Sequence, residues 1–201
     1  MPVANLPNGN PALGAKFNYK LRWIERLTAS AETLFDLKAP ALLIGDFNII
    51  PTEMDVYKPE KWIKDALFRI EIRKAFKRII SIGWTDAIRT LYPNDRIYTF
   101  WDYFRNAYQR DAVIRIDHFL LSPQISKKLI SDGVDSHVRG WEKTSDPAPV
   151  WIEIKIPEKN KCYYLLLFLI SSTSLLTSSS SSFTVSISFN CCFLSVLPIL
   201  H

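Results

Sequence analysis

Apolar residues along the chain fall into two rhythms. From Phe17 to Leu37, the residues Tyr19, Leu21, Trp23, Ile24, Leu27, Ala31, Leu34 and Phe35 recur at helical spacing, with Lys20, Arg22, Glu25 and Arg26 between them. That spacing predicts an amphipathic helix docked on a sheet, with its aromatic residues in the core. Ala41 to Ile44 is a short unbroken apolar run between Pro40 and Gly45, the pattern of a mid-sheet strand buried on both faces. Pro51 to Lys64 reads as a charged loop holding Trp62. Ile70 to Ile82 predicts a second helix, ended by Gly83 and carrying Arg73, Lys74, Lys77 and Arg78 on a face that solvent accounts for.

Further along, Asp86 to Leu91 predicts a short helical turn before Pro93, and Tyr98 to Tyr103 is aromatic and β-prone, with one face to pack and one to meet a flat ligand. Arg115 to Ser122 predicts a strand with an acid just inside its start. Ser122-Pro123 then opens a helix expected to run through Leu129, proline taking its favoured first turn. Ser145 to Ile154 reads as a loop entering a closing strand. Strands and amphipathic helices in this alternation predict an α/β fold.

Composition divides the chain. All 25 Lys and Arg and all 20 Asp and Glu precede Cys162, so the net charge of +5 belongs to the first 161 residues. The expected organisation is one domain over residues 1–156 and an uncharged tail over 157–201, rich in serine and apolar clusters and either disordered or an artefact. Every residue from Leu165 to Phe189 can be encoded with a pyrimidine at the second codon position, as in read-through of a pyrimidine-rich tract; the functional alternatives are an anchor or a linker. Its longest clean apolar run, Cys162 to Ile170, is too short to span a bilayer, so a membrane partner is not expected. The modest basic excess is compatible with a polyanion without requiring one. Three cysteines, all in the tail, leave the domain without a zinc or disulfide framework. With no signal peptide visible in Met1 to Lys16, an intracellular setting, cytoplasmic or at the nucleoid or nucleus, is expected.

The candidate chemistry sits where the apolar run ends, at Gly45-Asp46-Phe47-Asn48. Strand alternation would put Asp46 and Asn48 on one face and Phe47 on the other, at the carboxyl end where open α/β sheets usually carry their sites. A carboxylate there can take a proton from water or hold a hard cation, and an amide can donate to a phosphate oxygen. The plainer alternative is that Asp46 opens a turn and Asn48 satisfies loop backbone.

Five blocks in order are Leu6-Pro-Asn-Gly-Asn-Pro11, Gly45-Asp-Phe-Asn48, Thr99-Phe-Trp-Asp-Tyr103, Arg115-Ile-Asp117 and Ser145-Asp-Pro-Ala-Pro-Val150. Together they resemble the exonuclease III group of the endonuclease/exonuclease/phosphatase superfamily, over about Asn5 to Ile154 and its carboxyl-terminal three-fifths. The resemblance implies a partial four-layer α/β sandwich, the second half of that fold. It also implies hydrolysis of DNA phosphodiesters with Mg²⁺ or Mn²⁺, at abasic sites and 3′ ends of duplex DNA, in base-excision repair. By the same resemblance Asp46 orients or deprotonates the attacking water, Asn48 binds the scissile phosphate and Asp117 steadies a catalytic histidine. Asp146, Asp46 and Asn48 match positions at or near the metal. Phe100, Ile114 and Ile116, with Trp101 beside them, match the pocket for a flipped-out abasic sugar, and Asn8 matches a phosphate contact.

Three departures temper that expectation. Pro147 stands where the family has histidine, and His118, next to Asp117, should project to the opposite strand face. Asn5 stands where a tyrosine usually precedes Leu-Pro-Asn. The family's first half, with its principal metal-ligand glutamate, has no counterpart in the sequence. A truncated copy with weak or no activity is therefore expected; a DNA-binding remnant and one half of a split enzyme, completed by a separately encoded amino-terminal half, are its rivals.

Overall fold

The computed structural model describes residues 14–101, 113–137 and 148–155 in full, and the backbone of 166–169, 174–178 and 184–189. Helix α1 (Ala15–Asp36) is followed by strand β1 (Ala41–Asp46), two 3₁₀ turns at Glu53–Asp55 and Pro59–Lys61, and helix α2 (Ile70–Ile82). Then come β2 (Thr85–Asp86), α3 (Ala87–Leu91), β3 (Phe100–Trp101), β4 (Val113–Ile114), β5 (Asp117–Leu121), α4 (Pro123–Ser126), β6 (Leu129–Val134) and β7 (Val150–Lys155). In the tail, assigned no elements from its sequence, lie β8 (Leu166–Leu169), β9 (Ser174–Ser178) and β10 (Thr184–Phe189).

Among the described residues the fold is a mixed α/β arrangement of two four-stranded sheets, ordered β2-β5-β1-β8 and β6-β7-β10-β9, with β3 and β4 forming a separate ribbon. β1 is an inner strand, antiparallel to β5 and parallel to β8, as its unbroken apolar run predicts. Alternation along β1 decides how the layers stack. Ala41 and Leu43, with Leu120 of β5, pack against Ile24 and Leu27 of α1 and Ile72, Phe76 and Ile79 of α2. Leu42 and Ile44, with Phe119 and Leu121, pack instead against Val150, Ile152 and Ile154 of β7. The first sheet is thus covered by helices on one face and by the second sheet on the other. Each fully buried Leu or Ile of β1 contributes about 2–3 kcal/mol of apolar transfer.

Gly83 ends α2 at φ 123°, and a Cβ there would come within 2.6 Å of the Phe35 ring of α1.

Local expectation fails in three places. The helix expected through Leu129 stops at Ser126, and Leu129 begins β6, which pairs with β7 from Leu129↔Ile154 to Val134↔Val150. Long-range pairing there overrides a local helix start. The strand expected from Arg115 begins at Asp117, because the Arg115 side chain and backbone are committed elsewhere. Third, Lys20, placed between the apolar residues of α1, is 3% exposed.

Candidate active site at the end of the central strand

β1 delivers Asp46 to the edge of the core and then turns. The Asn48 N–H donates to Asp46 Oδ1 at 2.7 Å, and Asn48 is left-handed at φ 52°, a region asparagine tolerates better than most residues. The turn-forming role of Asp46 is therefore present, and Asn48 leaves the strand before alternation can place its side chain. Phe47 does point to the helical face, edge-on to Trp23 and Phe76. The Lys20 ammonium reaches across from α1 and donates to the backbone carbonyl of Asn48.

Across the ladder, Asp46 pairs with Asp117, the first residue of β5. Burial pushes the Asp46 carboxyl up, against the Asn48 N–H and the Lys20 charge, which favour its ionised form. Asp117 is 2% exposed, and neither of its carboxyl oxygens meets a donor at hydrogen-bonding geometry among the described residues. Burial and then the Asp46 charge raise it strongly, opposed by the nearby Thr99 hydroxyl and by Arg115. Two acids so placed favour the arrival of a positive charge or a shared proton.

Thr99, the first residue of the block at 99–103 and given no role of its own from the sequence, holds this start of β5. Its Oγ1 accepts from the backbone N–H groups of both Ile116 and Asp117 at 3.2 Å, and it is fully buried. Arg115 anchors the preceding turn. It is fully buried, its Nε donating to Asp55 Oδ1 at 2.7 Å and its terminal nitrogens to both oxygens of Asp86 at 3.1 and 2.9 Å. Arg89 also donates to Asp55. Burial alone would raise the Asp55 carboxyl, but Arg115 and its neighbours outweigh that and hold it well below the usual range. Asp55 thus belongs to an internal ion cluster and not to a solvated loop.

His118 lies on the helical face, as its position after Asp117 predicts. Its Nε2 is 2.9 Å from the Ile49 carbonyl, and its ring packs on Phe47 and Phe76 at centroid distances of 5.2 and 4.8 Å. Burial, with Arg115 adding to it, lowers its pKa to about 4, which makes it a neutral core residue.

Phe100, Ile114 and Ile116 come together in one apolar cluster with Ile50, Val56, Leu67 and Phe68, Phe100 and Ile114 being cross-strand partners. Trp101 points the other way, to Val113 and Ala148. Asn8, Asp146 and Pro147 lie outside the described residues, as do residues 102 and 103 of the aromatic block. Among the cations expected on the solvated face of α2, Arg73 donates to the Pro51 carbonyl and lies over Phe68, and Arg78 pairs with Glu32.

The donors at the strand ends are carboxylate and amide oxygens, with two carboxyl groups pressed by burial and one of them unpartnered. Such hard oxygen donors fit Mg²⁺ or Mn²⁺ in preference to softer metals. Among the described residues, no three His, Cys, Asp or Glu gather as a ready metal cluster, and Asp146 is not among them. No helix of the described residues is long and apolar enough to cross a membrane.

Residues 2–146 match the model of the Endonuclease/Exonuclease/phosphatase family. The chain is 30% identical over 148 residues to exodeoxyribonuclease III of Haemophilus influenzae, covering 70% of this chain and 55% of that protein. It is similar in structure to an AP endonuclease from Archaeoglobus fulgidus, at TM-score 0.67 and 34% identity, covering 73% of this chain and 57% of that one. It also resembles the 3′ phosphatase NExo from Neisseria bound to a product DNA hairpin, at TM-score 0.69 and 36% identity, covering 74% and 58%. The chain spans about half the length of the curated relatives it matches.

Proposed function

The chain belongs to the endonuclease/exonuclease/phosphatase family, and on that premise we propose that it carries the site of an exodeoxyribonuclease III-type DNA phosphodiesterase. Its substrates are duplex DNA with abasic sites or 3′ ends. The observation that carries this reading is the pairing of Asp46 with Asp117 at the strand ends, with the Asn48 turn bonded to Asp46.

Hydrolysing a phosphodiester requires an activated water, donors aimed at the charge that develops on the phosphoryl oxygens, and an offset for that charge. Asp46 is the group that orients or deprotonates the water, and its raised affinity for a proton suits that task. Asn48 donates its side-chain amide to the phosphate. Asp46, Asn48 and Asp146 are the residues that would hold Mg²⁺ or Mn²⁺, which supplies Lewis-acid stabilisation of the phosphoryl oxygens when bound. Phe100, half-buried at the edge of the core cluster that holds Ile114 and Ile116, would offer an extruded abasic sugar its apolar contact, with those two isoleucines packed behind it.

Asp117 has the place of a group that steadies an imidazole, but position 147 offers a proline, with no donor and no proton. Losing one such transition-state donor typically costs about a hundred- to a thousandfold in rate, so weak or no cleavage is expected of these 201 residues alone.

The test is cleavage of end-labelled duplexes carrying one abasic site or a recessed 3′ end, titrated with Mg²⁺. Slow, metal-dependent cutting that Asp46→Ala abolishes supports the proposal. Salt-sensitive binding with no cutting in any metal would replace it with a DNA-binding remnant, a reading that Pro147 and the basic charge favour.

A further inference from the structure

The Asn48 peptide is held from both sides. Its N–H is taken by Asp46 Oδ1 at 2.7 Å, and its carbonyl accepts from the Lys20 ammonium, from a residue 28 positions earlier in the chain. Between those two bonds the residue keeps a left-handed backbone at φ 52°, which a non-glycine residue adopts only at a cost that its surroundings must offset.

Lys20 is an unusual choice for its place. It projects from the apolar face of α1, one turn after Phe17 and one before Ile24, and is 3% exposed. Burying an ammonium is unfavourable unless its hydrogens are used. A methionine or leucine would fill the same volume without that cost. Nor can a side chain so enclosed reach a duplex. Its charge lies within the field of Asp46 and Asp65, so it also offsets part of the negative charge at the strand end.

We propose that Lys20 is a positioning residue, whose ammonium clamps the Asn48 carbonyl and so fixes the left-handed turn that aims the Asn48 amide at the phosphate. The inference rests on the phosphate role given to Asn48 above. Lys20 acts through Asn48 and touches no substrate.

The experiment uses the full 201-residue chain with Lys20→Met, Lys20→Arg, Asn48→Ala and the Lys20→Met/Asn48→Ala pair. Three quantities are read: amide hydrogen exchange at Asn48 against Leu43 and the amides of α1, single-turnover cleavage of an abasic-site duplex in Mg²⁺, and the Kd for that duplex. Lys20→Met is expected to quicken exchange at Asn48 at least tenfold while Leu43 and α1 stay protected. It should slow cleavage about tenfold with the Kd within twofold, and Lys20→Arg should recover most of the protection. The double variant should cleave no more slowly than Asn48→Ala.

Unchanged exchange at Asn48, or a loss shared equally by α1, overturns the clamp and leaves Lys20 a packing residue. If exchange at Asn48 quickens but Asn48→Ala binds and cuts like the native chain, the clamp stands and the phosphate role of Asn48 falls. If Asn48→Ala is damaging and Lys20→Met is not, the clamp falls and the phosphate role stands. Should Lys20→Met fail to fold, the same comparison is made on Lys20→Gln, which keeps a donor without the charge; its exchange readout does not depend on cleavage.

Discussion

Asp46 and Asp117 are cross-strand partners on the last rung of the β1–β5 ladder, and burial raises the proton affinity of both. Like charges set directly opposite in a sheet destabilise it. A protein keeps such a pair for what it binds or does, and the stability given up is recoverable by substitution.

Asp117→Asn should therefore stabilise the fold at neutral and alkaline pH, by about 1–2 kcal/mol. The sign follows from the raised carboxyl: its contribution to stability is present below the unfolded value near 3.9 and is lost as pH rises through the folded one. The gain from asparagine should accordingly be larger at pH 8 than at pH 5. Urea unfolding at the two pH values measures it; an asparagine variant less stable at pH 8 would contradict the account of a repelled pair.

The cluster of Arg115, Asp55, Asp86 and Arg89 should behave in the opposite way. Asp55→Asn leaves the buried Arg115 with only Asp86 to balance it, and breaking a buried pair from one side typically costs about 3–5 kcal/mol. The urea midpoint should fall with the slope unchanged. Because the Asp55 carboxyl is held low, the native chain should draw stability from it above the unfolded carboxylate value and lose that stability as pH falls through the folded one.

A separate acid-side loss is expected from His118. With its pKa lowered to about 4 against an unfolded value near 6.5, the unfolded chain binds the extra proton in between, so stability falls as pH drops through that window. The full effect is about 3 kcal/mol. His118→Gln, which keeps a donor for the Ile49 carbonyl, should show a flatter stability profile between pH 6.5 and 4, read from thermal midpoints.

Much of this architecture is legible in the sequence because burial imposes a period. The bounds of α2 match the run Ile70 to Ile82, and β1 is the inner strand that an unbroken apolar run flanked by Pro40 and Gly45 requires. His118 on the face opposite Asp117 follows from alternation alone. What escapes is set by distant partners. Lys127 to Leu129 reads as the end of a helix until β7 pairs with Leu129. Asp55 and Arg115 lie 60 residues apart, and nothing local marks Asp55 as buried. Lys20 could have been found, since Phe17, Lys20, Ile24 and Leu27 share one stripe of α1, but a lysine on an apolar stripe usually carries its charge out to solvent. Thr99 gives no sequence signal of the two backbone donors it accepts. The motif at 45–48 is legible as chemistry, and its turn is not, because the left-handed Asn48 depends on Asp46 and Lys20 together.

The measurement that bears most directly on the central claim is single-turnover cleavage of an abasic-site duplex in Mg²⁺ by the native chain, Pro147→His, and Pro147→His combined with Asp117→Asn. The native chain is expected to cut slowly or not at all, Pro147→His to cut at least about tenfold faster, and the pair to lose that gain because Asp117 can no longer orient the imidazole. Native-level cutting in all three, undiminished by Asp46→Ala, would contradict that claim.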